Sequence, residues 1–175
     1  MSTSLVSKRA PEVLAQQLGD VLARQFELYG EVQQQLAQRK DALRQADLER
    51  YGSLANAEQR VLAEVFELDT RRTALSVELA ALFGLAKGAS ILEIAARLEE
   101  SSRGRLEGLR ALLKQRIEET RHEGSVLRAA AERLAQHMAG IIQTVRSALA
   151  QTGVYGRHGR VALGATVAST IDLRS

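Results

Sequence analysis

The chain has 175 residues and a net charge of +3, with 45% hydrophobic residues but only 3% aromatic ones, one proline and no cysteine. The absence of cysteine excludes disulfides, thiolate metal sites and a cysteine nucleophile. The scarcity of proline and aromatic residues argues against a sandwich, a barrel or a loop-rich enzyme, whereas the abundant Ala, Leu, Glu, Gln and Arg favour helices and predict an all-α fold.

The first predicted helix covers about residues 11–44, after a disordered N-terminus at residues 1–10. Proline suits the first helical position, and the acidic Glu12 beside Pro11 complements the helix dipole. Apolar residues then recur at helical spacing, which indicates one buried face. They are Leu14, Leu18, Val21, Leu22, Leu28, Val32, Leu36 and Leu43.

The second predicted helix covers about residues 47–84 and has the more regular apolar row. Its steps of three, four and seven residues are typical of a coiled-coil seam. Two breaks could separate it from the first helix, one near Arg44–Asp47 and one at residues 51–53. The row already includes Tyr51, which favours the first break, with Asp47 as the N-terminal cap. The row consists of Tyr51, Leu54, Val61, Val65, Leu68, Leu75, Leu79 and Leu82.

A loop with two glycines, Gly84 and Gly88, is predicted to end the second helix. Ser90 and Glu93 then form a capping-box pattern that begins a long third helix over residues 90–150. Residues 101–104 are expected either to kink this helix or to divide a short helix from a long one. Sixty helical residues would span about 90 Å, whereas the first helix would reach about 50 Å. We therefore expect an antiparallel helical hairpin plus a long third helix, a three-helix coiled-coil-like bundle whose third helix overhangs the hairpin.

The last apolar residues of the third helix would then lack a partner within the chain. An exposed apolar stripe on a helix is a candidate surface for binding another protein. We expect those from Met138 onward to be more exposed than Leu109, Leu113 and Ile117 on the same helix. The candidate surface consists of Leu134, Met138, Ile141, Ile142, Val145 and Leu149.

Residues 151–175 differ in character from the helices. They begin with a glycine-rich, aperiodic stretch and continue with a period-two alternation of apolar residues from Val161 to Leu173. A lone strand in an α-protein has no ladder partner. The pattern favours a flexible, disordered tail. The sharper alternative is a flexible tail that binds a partner and becomes ordered on it.

No pattern in the sequence indicates an active site, a metal site or a cofactor. Glu119 and His122 have the spacing found in carboxylate di-iron bundles, but that chemistry needs two such motifs and two further glutamates. The glycines at 153, 156 and 159 follow a helix, precede none, and lack the lysine of a phosphate loop. We expect no enzymatic activity. The start of the chain lacks the apolar stretch of a secretory signal, and no run approaches about 18 apolar residues, so we expect a cytoplasmic protein with no membrane insertion.

Two other functions stay open on the sequence. One is a scaffold that self-associates through the long helix, for instance as a homodimer. The other is nucleic-acid binding, because residues 101–150 carry nine basic and five acidic side chains. The interleaved acids favour a solvated helix face, so we expect no nucleic acid as a partner. The arginines concerned are at positions 103, 105, 110, 116, 121, 128 and 133.

The order of these elements is familiar: a Leu-rich hairpin that turns before Asp47, a glycine loop with the Ser90 cap, a long helix, and a tail. The tail begins Val-Tyr-Gly-Arg-His-Gly at residues 154–159 and ends Ile-Asp-Leu at residues 171–173. Over about residues 12–173 the chain resembles the FlgN family of flagellar type III export chaperones.

The resemblance implies a non-enzymatic chaperone that holds the hook–filament junction proteins FlgK and FlgL in the cytoplasm and delivers them unfolded to the export apparatus. It implies that the end of the long helix and the tail bind the cargo. It also implies that the tail tyrosine, Tyr155 here, docks on the export gate together with Gly156 and Gly159.

Overall fold

The computed structural model describes the backbone of residues 3–152 and the side chains of residues 11–150. It contains four helices: α1 (Thr3–Arg44), α2 (Leu48–Leu82), α3 (Ile91–Ala95) and α4 (Glu100–Thr152). The described residues form no strand, so the predicted all-α class is confirmed. The chain divides into two compact units, Met1–Ala129 and Ala130–Ser175, and the packing described next belongs to the first.

Helix α1 begins at Thr3, whereas the sequence predicted a disordered segment up to residue 10 and a helix start at Pro11. Pro11 lies inside the helix. Proline has no amide hydrogen, so it cannot donate the usual bond to the carbonyl four residues earlier, but its fixed φ is compatible with helix. As the ninth residue of α1, Pro11 leaves the carbonyl of Ser7 without the usual intrahelical bond, at a cost of about 3 kcal/mol.

The turn between α1 and α2 lies at residues 45–47, as predicted. Ala46 takes a left-handed conformation with a φ of 56°. The Asp47 side chain caps α2, because its Oδ1 accepts a hydrogen bond of 2.9 Å from the backbone N–H of Arg50. This bond satisfies one of the backbone donors left free at the start of a helix.

The connection from α2 to α4 contains the predicted glycine loop and capping box. Gly84 and Gly88 have φ values of 64° and 99°, which favour glycine. Ser90 and Glu93 form the reciprocal capping box that begins α3. Helix α3 is short, and the chain leaves the helical conformation at residues 96–99. A short helix is thus divided from a long one, as one of the two alternatives predicted, but a few residues before the expected 101–104. The break places Leu98 in the core, where it is buried, while residues 101–104 lie within α4.

Helices α1 and α2 pack side by side in opposite directions. Near the middle of α1, the Arg24 guanidinium lies 2.9 Å from the Glu64 carboxylate. Further along α1, the Arg39 guanidinium donates a 2.8 Å hydrogen bond to the Tyr51 hydroxyl and stacks on that ring at 4.5 Å. Because a later residue of α1 contacts an earlier residue of α2, the two helices are antiparallel.

Helix α4 packs on α1 in the same direction. The Ser102 hydroxyl donates a 2.6 Å hydrogen bond to Glu12, and the Arg116 guanidinium stacks 4.0 Å from the centre of the Phe26 ring. A Cβ on Gly30 would lie 2.8 Å from a nitrogen of the Arg116 guanidinium. Glycine at this position thus leaves room for the arginine that joins the two helices.

The core of the first unit is aliphatic and draws on all four helices. Leu18, Leu22 and Leu28 of α1 are almost completely buried. Helices α2 and α3 contribute mainly Leu75, Leu79, Ile94 and Ala95. A smaller cluster lies further along α1 and consists of Val32, Leu36 and Leu127, with Leu43, Tyr51 and Val61 packed against it.

Within the first unit, α4 turns one row of residues inward at intervals of seven. Leu106, Leu113, Thr120 and Leu127 are all buried. Thr120 is the polar member of this row, and its hydroxyl donates a 2.7 Å hydrogen bond to the carbonyl of Arg116. A strict spacing of seven is typical of a coiled-coil seam.

We expect Leu106→Ala to destabilise the first unit by about 2–5 kcal/mol, because it removes most of a buried side chain and leaves a cavity. The matched control on the same helix is Leu112→Ala, where the side chain is 51% exposed; its effect should stay within about 0.5 kcal/mol. Chemical denaturation measures both. Equal effects would contradict the packing of α4 described above.

The Glu93 carboxyl of the capping box should have a pKa below the ordinary value of a glutamate. The Ser90 backbone N–H donates to the Glu93 carboxylate at 2.7 Å, the Ser90 hydroxyl donates to it at 2.8 Å, and together these bonds hold the pKa of Glu93 below its usual 4.5. The contribution of the box to stability is therefore complete above that value and is lost as pH falls through the lowered pKa. In an NMR titration of the wild type, the chemical shift of the Ser90 amide should change with a midpoint at the lowered pKa of Glu93. This transition should be absent in Glu93→Gln. A midpoint at or above 4.5 would contradict the capping geometry.

Candidate functional site

The predicted partner-binding residues lie on the second unit's part of α4, and we call them the distal stripe. They follow one another at steps of mostly three and four residues, so they share one side of the helix. The stripe consists of Leu134, Met138, Ile141, Ile142, Val145 and Leu149.

The distal stripe is largely open to solvent. Met138, Ile141, Ile142 and Val145 are 47–51% exposed, and Leu149 is 65% exposed. Leu134 is half-buried. By contrast, Leu113 on the same helix is 6% exposed, and Leu109 and Ile117 are half-buried. The greater exposure predicted for the five residues from Met138 to Leu149 is confirmed.

A shallow depression of about 480 Å³ lies on this part of α4, lined by Ile141 and Val145 together with Gln136, His137, Gly140 and Thr144. The Thr144 hydroxyl donates a 3.0 Å hydrogen bond to the carbonyl of Gly140. Its donor is therefore already used within the helix, and the depression presents mainly apolar atoms. Such a surface suits the apolar side chains of another helix.

Charge is scarce along the distal stripe. Residues 134–149 contain no aspartate or glutamate and a single arginine, Arg146. A partner bound here would be held chiefly by removal of apolar surface from water, which depends little on salt concentration.

The other predicted site residues, Tyr155, Gly156 and Gly159, lie outside the described residues, as does the alternating segment of residues 161–173. Their predicted role therefore stays a prediction.

A second surface, which the sequence interpretation missed, lies in the first unit. It is a groove of about 630 Å³ between α2 and α4, and we call it the α2–α4 groove. Side chains of α1 line its base: Leu22, Gln25 and Tyr29. Helix α2 contributes Leu62, Val65, Phe66, Asp69 and Arg72, and α4 contributes Arg110, Leu113, Lys114, Ile117, Glu118 and Arg121, with Ile91 of α3 beside them.

The groove contains two polar groups of α1 in an apolar setting. Gln25 is 3% exposed, and its Oε1 accepts no hydrogen bond from the described residues. Tyr29 is half-buried, and burial raises the pKa of its hydroxyl above the usual 10.0. The tyrosine therefore stays a neutral hydrogen-bond donor and acceptor at physiological pH.

One signal in the sequence pointed to this groove. Leu62 and Phe66 are four residues apart, each directly after a member of the predicted seam, Val61 and Val65. They form a second apolar row beside the first, and together the two rows are wider than the contact between two helices requires. Periodicity identifies such a row, but it does not tell whether another helix of the chain covers it.

The described residues offer no metal site. Within residues 11–150, no group of three or more His, Asp or Glu side chains is placed to hold a metal ion. Glu119, from the Glu-x-x-His spacing, accepts hydrogen bonds from Gln115 at 2.8 Å and from Gln33 at 3.5 Å. This carboxylate therefore belongs to the polar contacts of the α1–α4 packing.

Several arginines of the basic stretch of α4 are engaged in the fold. The Arg105 guanidinium lies 2.6 Å from Asp20, and Arg103 lies 3.7 Å from Glu100. Arg116 stacks on Phe26. Side chains held in this way are less free to follow the phosphates of a nucleic acid.

None of the four helices, over the residues that the structure describes, combines the length and the apolar character needed to cross a bilayer.

The comparisons with known proteins agree with the resemblance. The family model FlgN, described as FlgN protein, matches residues 14–162, which includes α2, α3, all of α4 and most of α1. No curated protein and no solved structure matches the chain. Because the match extends over well more than half of the sequence, the chain belongs to the FlgN family of flagellar export chaperones.

Proposed function

We propose that this protein binds the hook-associated proteins of the hook–filament junction, FlgK and FlgL, in the cytoplasm and delivers them to the flagellar type III export apparatus. The proposed arrangement for this task is an antiparallel hairpin of α1 and α2 with α4 as a long third helix. The single observation that carries the proposal is the exposure of the distal stripe on α4.

The register of α4 supports a binding role for this stripe. The buried row of Leu106, Leu113, Thr120 and Leu127 repeats every seven residues. The same interval leads on to Leu134 and Ile141, which are half-buried and 47% exposed. The apolar row thus continues at Leu134 and Ile141, where the described residues do not bury it fully. A partner helix that covers such an apolar row would stabilise it.

The chemistry of the stripe suits an amphipathic helix of the cargo. Its side chains are flexible or branched aliphatics without a fixed polar pattern, and methionine in particular adapts its shape to different partners. A chaperone for two cargo proteins needs such tolerance. The tail at residues 151–175 is proposed to add to this binding.

A second copy of the chain is the competing occupant of the stripe, because a coiled-coil seam is as well covered by another copy as by cargo. Sedimentation of the purified protein separates the two. A self-associating scaffold would sediment as a dimer that Ile141→Asp dissociates, whereas a chaperone that binds cargo as a single copy would sediment as a monomer.

We expect the double variant Ile141→Asp with Val145→Asp to lower cargo affinity about a hundredfold or more, because burying unpaired charges in an apolar seam costs several kcal/mol and each tenfold corresponds to about 1.4 kcal/mol. Calorimetry with purified FlgK or FlgL measures the affinity, and circular dichroism should show unchanged helix content.

The matched control is Ala139→Asp with Gln143→Asp. These residues are exposed and have the same spacing of four, and they point away from the stripe by about half a helical turn. The control should bind cargo nearly as the wild type does. Equal losses in both double variants, or no loss in the stripe variant, would refute the proposed cargo surface.

Tyr155 is proposed to dock on the export gate, with Gly156 and Gly159 allowing close approach of the backbone. Support comes from the family resemblance and from the chemistry of tyrosine, which combines a large apolar ring with a hydroxyl that seeks a hydrogen bond in a partner's pocket.

We expect Tyr155→Ala to retain cargo binding and thermal stability, within about 0.5 kcal/mol, and to lose binding to the cytoplasmic domain of the export gate. Tyr155→Phe should keep part of the gate binding because the ring remains, and His158→Ala serves as a control in the same segment. Two pull-downs, one with cargo and one with the gate domain, provide the measurement. Gate binding by Tyr155→Ala at the wild-type level would disprove this role.

A further inference from the structure

The geometry points to a second docking surface on this protein: the α2–α4 groove, which takes an amphipathic helix of a partner protein whose flank is acidic. The groove lies in the first unit and shares no residue with the distal stripe. The inference therefore stands independently of the proposed cargo surface.

The groove is an incompletely covered part of the core. Leu22, Val65 and Leu113 at its base are at most 7% exposed. Above them, Leu62 is 39% exposed and Phe66 is 74% exposed, the highest value among the large apolar side chains at residues 11–150. Leu62 and Phe66 lie one helical turn apart on α2, which is the spacing at which an amphipathic helix is recognised along a groove.

Gln25 gives the groove a polar contact point. Its side chain is nearly fully buried, lines the groove, and has an Oε1 acceptor without a donor among the described residues. Buried acceptors are normally satisfied. A hydroxyl or N–H of a helix lying in the groove can supply the missing donor after a small rotation of the amide.

The charges beside the groove determine the kind of helix that fits. Arg72 is paired with Asp69 at 2.9 Å, and Lys114 is paired with Glu118 at 3.8 Å. Arg110 and Arg121 also line the groove, but neither forms an ion pair with the side chains at residues 11–150.

These two arginines belong to the same helix and are about 16 Å apart along its axis, or three turns. A partner helix with glutamates on the flank facing α4 would pair with both, whereas a basic flank would meet like charge.

A single tryptophan makes the groove observable, since the natural chain contains none. Phe66→Trp places the reporter in the groove, and Val77→Trp, at a position on α2 that is 44% exposed and does not line the groove, is the control. The probe is a capped helical peptide of about 18 residues, roughly 27 Å long, with leucines on one face and glutamates on the flanks. A second peptide carries lysines in place of the glutamates.

We expect the glutamate peptide to shift the emission of Phe66→Trp to shorter wavelength and to leave Val77→Trp unchanged. It should bind about tenfold more tightly than the lysine peptide, with weaker binding at high salt. Adding Arg110→Glu and Arg121→Glu to the Phe66→Trp protein should reverse this preference, whereas adding Arg128→Glu, an exposed charge outside the groove, should not.

The inference is overturned if the two peptides bind equally, if neither binds, or if charge reversal leaves the preference unchanged in variants whose circular dichroism is intact. It is also overturned if the unliganded protein sediments as a dimer that Phe66→Asp dissociates, because the groove would then serve self-association. The Ile141→Asp, Val145→Asp variant should bind the glutamate peptide normally, so failure of the cargo surface and failure of the groove are distinguishable.

Discussion

The packing of α2 and α4 on one helix, α1, is the contact on which the rest of the first unit depends. Leu18 and Leu22 of α1 are at most 1% exposed and belong to the cluster that also contains Leu79, Ile94 and Leu106. With so few aromatic residues, the chain obtains its core energy from aliphatic side chains that must interlock closely. Helix α1 makes polar contacts with α2 on one side and with α4 on the other. These contacts fix how the helices lie against one another, but they add little stability.

One sequence pattern in α4 is buried in one part of the helix and exposed in another. The row of α4 that repeats every seven residues is buried at Leu106 and Leu113, and its later member Ile141 is about half exposed. The packing of α2 and α4 on α1 also explains the α2–α4 groove, because two helices that both pack on a third do not have to contact each other along their whole length. Phe66 and Leu62 stay exposed for that reason. In a chaperone, apolar surface that the chain does not cover itself is a candidate surface for binding other proteins.

The sequence was sufficient for the two helix caps between the packed helices. The Asp47 cap and the Ser90–Glu93 capping box depend on residues within one turn, and both were predicted correctly. The division between a short and a long helix was predicted a few residues too late, at 101–104 instead of 96–99, because its position depends on burying Leu98 against other helices and not on the glycine at position 104. The groove was missed for the same reason: periodicity shows that Phe66 belongs to an apolar row, but only the packing shows that it stays exposed among the side chains of residues 11–129.

The two surfaces should respond differently to occupation. Leu22 and Leu113 of the groove belong to the main core cluster, so a helix bound there adds to the same cooperative unit and raises its free energy of unfolding by mass action. Ile141 and Val145 belong to neither core cluster. The two core clusters therefore add little to the stability of the helix at these positions, and a short isolated helix is marginal in water. Under the proposed function, cargo bound on the distal stripe would stabilise the end of α4 locally, so the chain would offer an adaptable cargo surface without weakening the core that carries it.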